Sequence, residues 1–346
     1  MKVINQLVLP ALLMSLLGMT ACGGGYGPTY PGTKPTPVSW DFTKMVDSDA
    51  DLTSYAYGPS IIRKNGVYHV FFCSAGASPA WDFIRYVYSN DGKNWSAPTI
   101  ILRATAANGF DLAACDPSVV YFQGFYYMYY SSAYTTAPGL FQTVIQVARS
   151  VNIDGPYLAY TQRGTWEDTP NDPQIIIKPL VTRNQDPVGY GAGPQTVVVR
   201  NGEIFLWYTD DSIDLDATRI YMLKSTDPVT WTPSPTRQIG IAAASIDVKY
   251  DASKHQFVMT SLVNPHTANA YLARSFSSDG MSWSAFQTII DVPAFPDYAN
   301  NVGAVGDETG NTVPLPTLVA FGAQYDLSSY NNWGQWDLYG VFVDGP

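Results

Sequence analysis

Apolar and polar positions along this chain fall into a unit of about fifteen residues that returns five times. Its fullest form is Cys115–Ser131: a Pro-led apolar run, a polar-Gly turn at Gln123-Gly124, then a second run of alternating aromatic residues. That order predicts a strand, a tight hairpin and a second strand. Tyr57–Phe72 and Gly193–Tyr208 repeat it closely, and Ser245–Met259 and Val302–Phe321 more loosely. A second pattern follows, a strand leading into Ser-x-Asp-Gly-x-x-Trp at Ser89–Trp95 and Ser277–Trp283, with looser forms at Ser225–Trp231 and Ser150–Tyr157. Each repeat therefore holds two hairpins, or four short antiparallel strands, in about 58 residues, which is a propeller blade. The expected fold is all-β, a five-bladed β-propeller. Runs such as Thr196–Val199, which lack polar alternation, suit inner strands buried on both faces.

The N-terminus breaks the pattern. Lys2, an apolar stretch from Leu7 to Leu17 and Met19-Thr20-Ala21-Cys22 form a signal with a lipobox, and Cys22 is the expected lipidation site. Residues 23–50, rich in Gly, Pro and Thr at their start, read as a tether, which leaves residues 51–346 as one globular domain. A bacterial cell-envelope protein, lipid-anchored and monomeric, at the outer membrane because glycine follows Cys22, is the corresponding expectation. Membrane contact would then come only through the lipid. A net charge of −10 argues against nucleic acid or an anionic surface as partner. Of the three cysteines, Cys73 and Cys115 would lie on one rim in neighbouring blades, where a disulfide and two buried thiols are both open readings in an oxidising compartment.

In a propeller the first strand of each blade lines the central channel, and the channel mouth is the default pocket. Repeat alignment places Gly58, Asp116, Gln195, Asp247 and Asn300-Asn301 there, with Trp81, Asp82, Tyr190, Asp210, Asp211 and His266 on loops of the same rim. Aromatic rings beside carboxylates and amides suit sugars, whose C–H faces stack while their hydroxyls hydrogen-bond. At Asp116-Pro117-Ser118-Val119-Val120, Gly191-Ala192-Gly193-Pro194, Trp207-Tyr208-Thr209-Asp210 and the Ser-x-Asp-Gly-x-x-Trp hairpins, the chain resembles the five-bladed glycoside hydrolases. Family 43, with its β-xylosidases and α-arabinofuranosidases, is the nearest; the family 32 fructosidases are more distant.

That resemblance implies inverting hydrolysis by an Asp base at an Asp-Pro step on blade one, an orienting Asp and a Glu acid. The chain departs from it twice. Blade one carries Gly58-Pro59, and the chain has only three glutamates: Glu203 and Glu308 in expected solvated turns, and Glu167 in a long link. The expected catalytic pair is therefore Asp116 and Asp247, with Trp81, Asp82, Tyr190, Gln195, Asp211 and His266 as substrate contacts, an oligo- or polysaccharide as ligand, and no cofactor. Asp47-Ser48-Asp49-Ala50-Asp51 lacks the Gly and Glu of a calcium loop, and His69, His255 and His266 lack metal-ligand spacing, so no metal is expected. A hydrolase and a non-catalytic glycan-binding protein on the same fold both remain open, with a protein-interaction scaffold third.

Overall fold

The computed structural model describes residues 40–48, 55–185, 189–214, 218–231, 237–239, 243, 245–292, 294–296, 298–324 and 336–344. The signal, Cys22 and most of the expected tether lie outside them. Among the described residues there are 21 strands, one short 3₁₀ turn (Ala107–Gly109) and no α-helix. After β1 (Thr43–Val46) come β2 (Ala56–Lys64), β3 (Val67–Ala75), β4 (Asp82–Ser89) and β5 (Thr99–Arg103). They are followed by β6 (Cys115–Phe122), β7 (Phe125–Ala137), β8 (Leu140–Ser150), β9 (Leu158–Tyr160) and β10 (Trp166–Glu167). Next are β11 (Ala192–Arg200), β12 (Glu203–Asp210), β13 (Arg219–Ser225), β14 (Arg237–Gln238), β15 (Ser245–Asp251), β16 (Gln256–Val263), β17 (Tyr271–Ser277) and β18 (Gln287–Ile290). The chain ends with β19 (Asn300–Gly306), β20 (Thr317–Ala323) and β21 (Asp337–Val343).

These strands form antiparallel meanders, β2 to β5, β6 to β10, β11 to β14 and β15 to β18. Strands β19 to β21 make a further meander that takes β1 as its outer strand. The first strands lie side by side in a closed series, β2 against β6, then β11, β15, β19 and β2 again, where Val305 and Ile61 pair in parallel. The tether expected over residues 23–50 is therefore too long. Thr43–Val46 pair with β21, and Asp337 Oδ1 accepts both the N–H and the hydroxyl of Ser48 at 2.7 Å. Strand β21 would otherwise present an unpaired edge, and Met45 and Val46 bring the apolar side chains that cover it.

Period-2 alternation explains the aromatic runs. On β7, Tyr126, Met128 and Tyr130 face a core shared with Phe71, Tyr86 and Tyr157, while Tyr127 and Tyr129 face the next core with Leu206 and Trp231. The Ser-x-Asp-Gly hairpins are held by their own side chains. Asp91 Oδ1 accepts the N–H groups of Lys93 and Asn94 at 2.9 and 2.8 Å, and Asp279 does the same for Met281 and Ser282. Those bonds hold the Asp279 carboxyl down at about 2.

One hydrogen bond recurs between neighbouring first strands. Ser60 Oγ accepts Val119 N–H at 3.3 Å, Ser118 Oγ accepts Val197 N–H at 3.1 Å, Thr196 Oγ1 accepts Val248 N–H at 3.0 Å, and Asp247 Oδ2 accepts Ala304 N–H at 2.7 Å. Ser60, Ser118, Thr196 and Asp247 thus occupy one structural position, an oxygen-bearing side chain that ties each of the first four meanders to the next.

The far end of the channel is closed. In the hairpin that follows β19, the carbonyls of Glu308, Thr309 and Gly310 accept the N–H groups of Tyr121, Val199 and Tyr250, from the ends of β6, β11 and β15. Lys64, at the end of β2, pairs with Glu308 Oε1 at 2.9 Å, and Tyr126 O–H also donates to it. Glu308, expected to be a solvated turn residue, is instead part of a plug anchored on four first strands.

Candidate active site at the channel mouth

The mouth is built by a repeated backbone irregularity. Pairing slips by a residue between Tyr57 and Ser60, Cys115 and Ser118, Gly193 and Gln195, and Asn300 and Val302. Such bulges bend a strand end and re-aim its side chains. Gly58, Asp116 and Asn301 sit in the left-handed region at φ 63°, 44° and 44°. Counting back from the interblade oxygen, the mouth residues are Gly58, Asp116, Pro194 and Ser245, joined by Asn301, and all line one narrow cavity with Gln195.

Asp116 is the centre of this site. It is buried, its Oδ1 accepts Asn301 Nδ2–H at 2.6 Å, and its Oδ2 accepts Tyr190 O–H at 3.2 Å. Burial pushes its carboxyl up to about 6 against the pull of hydrogen bonds from Ser131, Tyr190 and Asn301. Gln195 Nε2 donates to the backbone carbonyls of Asp116 and Tyr129, so this side chain holds the strand end rather than facing a ligand with its N–H groups. Ser245 Oγ, at 3 % exposure, has no hydrogen-bond partner among the described residues. A buried hydroxyl in that condition is a ready contact for water or a sugar hydroxyl.

Asp82 stands at the start of β4 on the same rim. Tyr55 O–H donates to its Oδ1, and its carboxylate lies within 4.8 Å of both Cys73 and Cys115 sulfurs. Those cysteines form a disulfide with Cα atoms 4.7 Å apart, so they offer no thiolate pair to a metal. Asp116 Oδ1 is 3.7 Å from Cys115 Sγ. Burial first, and the Asp116 charge in addition, push the Asp82 carboxyl up to about 7. The Tyr-x-Tyr step before Gly58, which supplies Tyr55 and packs Tyr57 beside the disulfide, is a part of the site that sequence reasoning missed.

The remaining expected residues divide. Trp81 is 44 % exposed on the rim with its ring edge-on to Phe141 at 5.0 Å, and Tyr190 is 36 % exposed with its hydroxyl turned onto Asp116. Both are open to a ligand. Asp211 acts one step away, accepting the N–H groups of Tyr190 and Gly191 at 2.9 and 2.8 Å and so holding the loop that carries Tyr190. Asp210 accepts the N–H groups of Leu180 and Ser212. His266 contacts Asn300 Oδ1 at 2.7 Å and packs on Trp336, and burial pulls its imidazole below the ordinary range.

Asp247 is not brought to Asp116. It lies two residues deeper than Ser245 on β15 and does not line the cavity. Both its oxygens take Lys249 Nζ at 2.7 Å, and Thr196 Oγ1 and Ala304 N–H complete its partners. An offset of two keeps a strand residue on the same face while moving it about 7 Å along the axis. Repeat alignment missed this because Asp247 takes the interblade position of Ser60, Ser118 and Thr196, on a strand without the bulge that the other first strands carry. No glutamate reaches the mouth either: Glu167 is bound by Arg163 at 2.9 Å on the outermost strand β10, Glu203 begins β12 beside the β11–β12 turn, and Glu308 is in the plug.

No protein-family model matches the chain, and no curated protein matches it significantly in sequence. Solved structures do match. An α-L-arabinofuranosidase from Podospora anserina, in complex with cellotriose, superposes with a TM-score of 0.62 at 13 % identity, covering 90 % of this chain and 98 % of the other. A family 117 glycoside hydrolase of the marine bacterium Zobellia galactanivorans gives 0.60 at 14 %, covering 88 % and 90 %. A thermostable family 43 glycoside hydrolase gives 0.58 at 12 %, covering 85 % and 94 %. At these identities the likeness is one of fold, and the chain has the all-β fold of the propeller glycoside hydrolases.

Proposed function

We propose that this chain is a five-bladed propeller glycoside hydrolase that acts on neutral, pentose-containing glycans at the channel mouth, with Asp116 as its base. One observation carries this reading. A side chain on Gly58 would meet Asp116 Oδ1 at 2.9 Å, so the carboxylate of the second meander fills the space that a first-meander carboxylate would need. Asp116 therefore takes the base role that the resemblance to family 43 assigns to the Asp-Pro step one blade earlier. Hydrogen bonds from Asn301 and Tyr190 orient the carboxylate, and Trp81 and Tyr190 offer ring faces for a sugar above it. Neighbours of this fold include one solved with cellotriose and another with xylotriose, which supports an oligosaccharide as ligand.

Asp116→Asn tests the reading. Loss of a general base should lower the rate on a cleaved glycan by at least about 10²-fold with the fold unchanged. A panel of arabinose- and xylose-containing glycans with reducing-end product analysis identifies the substrate. A second reading, a non-catalytic glycan-binding protein, is favoured by the absence of any glutamate at the mouth among the described residues. It predicts binding without new reducing ends, weakened by Asp116→Asn by about 1–3 kcal/mol.

The protein would be held at the bacterial cell envelope, at the outer membrane, by a lipid on Cys22, and would work as a monomer. Cys22→Ser should release it from the membrane fraction, and sedimentation of the released form should give the single-chain mass.

A further inference from the structure

Among the described residues, Asp82 differs from the other carboxylates near the mouth in how it is held. Backbone N–H groups fix Asp210 and Asp211, Lys249 neutralises Asp247, and Thr105 with Ser132 holds Asp111. Asp116 has three side-chain donors, the Ser131 hydroxyl, the Tyr190 phenol and the Asn301 amide. Among the described residues Asp82 has one side-chain partner, the Tyr55 phenol on Oδ1, which leaves Oδ2 without one, and the exposed Trp81 precedes it in the chain. Its other flank is the Cys73–Cys115 disulfide, and Asp116 touches the same Cys115 sulfur. The two acids thus flank one disulfide on the same rim, Asp116 lining the narrow cavity and Asp82 just outside it, with Tyr57 and Tyr190 packed around them.

Two carboxyl groups against one disulfide in a desolvated rim do not both ionise readily, and the less hydrogen-bonded one keeps its proton. Burial pushes Asp82 to about 7 and Asp116 to about 6, the same order as the donor count.

Resting on the hydrolase reading above, we infer that Asp82 is the general acid, delivering its Oδ2 proton to the glycosidic oxygen while Asp116 takes a proton from the attacking water. The water oxygen bonds to the anomeric carbon, the bond from that carbon to the leaving oxygen breaks, and its electron pair takes the Asp82 proton. Asp116 ends protonated and Asp82 ionised, and one proton exchange through solvent restores both. Tyr55 is a positioning residue that keeps the Asp82 carboxyl turned to the mouth, and Trp81 lies where the leaving sugar would stack.

The test compares wild type, Asp82→Asn and Tyr55→Phe on an unactivated arabinoxylan oligosaccharide and on 2,4-dinitrophenyl arabinofuranoside and xyloside, whose leaving group departs without a proton. Asp82→Asn should lose at least about 10²-fold on the oligosaccharide but less than about tenfold on a dinitrophenyl glycoside. Tyr55→Phe should show the same split, several-fold on the oligosaccharide and none on the aryl substrate, which keeps the idea testable if Asp82→Asn does not fold. Equal losses on both substrates, or full activity of folded Asp82→Asn on the oligosaccharide, overturn the acid role and leave Asp116 as base untouched. A wild type that turns over neither substrate overturns the hydrolase reading itself.

Discussion

The first carbon of any side chain on Gly58 would lie 2.9 Å from Asp116 Oδ1, with Asn301 Nδ2 at 3.5 Å. Real atoms do not sit that close, and Gly58 also has φ of +63°, a conformation that costs a residue with a Cβ about 1–2 kcal/mol. Gly58→Ala should therefore lower Tm by several degrees and displace Asp116, reducing both glycan affinity and any turnover. Unchanged melting and unchanged activity would show that the mouth can open at this point and that Asp116 is not held by it.

Asp247 should prove structural. Its removal in Asp247→Ala leaves the Lys249 ammonium buried without a counter-charge and Ala304 N–H without an acceptor, a loss of about 3–5 kcal/mol. Denaturant unfolding should show that loss, and Asp247→Ala with Lys249→Met should regain part of it. A folded Asp247→Asn of normal stability with abolished turnover would instead return Asp247 to the chemistry.

Reduction should act on stability and on the site together. The Cys73–Cys115 bond closes a span of 42 residues, worth about 4 kcal/mol on the chain-entropy model. It also lies against both Asp82 and Asp116. A reductant should lower Tm and weaken glycan binding in parallel, whereas rapid thiol labelling of the native, unreduced protein at both positions would show that the bond does not form.

Asp82 should also leave a mark on the pH dependence of stability. Its carboxyl is raised in the folded protein from 3.8 to about 7, so the folded state holds that proton more tightly than the unfolded chain. The associated stabilisation is complete below pH 3.8 and is lost as pH rises through about 7. Asp82→Asn, which cannot ionise, should consequently melt higher than wild type at pH 8 and show no advantage near pH 4. Parallel melting curves at the two pH values, with no gain at pH 8, would mean that Asp82 carries no such proton.

The sequence by itself determined the strands, their pairing in meanders and the turn chemistry, because these depend on neighbours within a few residues. Apolar runs such as Thr196–Val199 mark strands buried on both faces, and Asp91 and Asp279 hold their hairpins with donors two and three positions away. It also placed Asp116, Asp82, Trp81 and Tyr190 near one rim, since alternate strand ends of a meander must share a side. Which carboxylates work together was decided only by tertiary structure. Four of the first strands carry a one-residue bulge and β15 does not, and Asp247 lies two positions below Ser245, in the ring of interblade hydrogen bonds. Glu308 looks like a turn residue until the hairpin that carries it is seen to lie across the ends of β6, β11 and β15. The pairing of Asp82 with Tyr55 spans 27 residues, and both carboxylates approach one disulfide whose halves are 42 apart. Local pattern carries no information on such distances, because the packing of one meander against the next sets them.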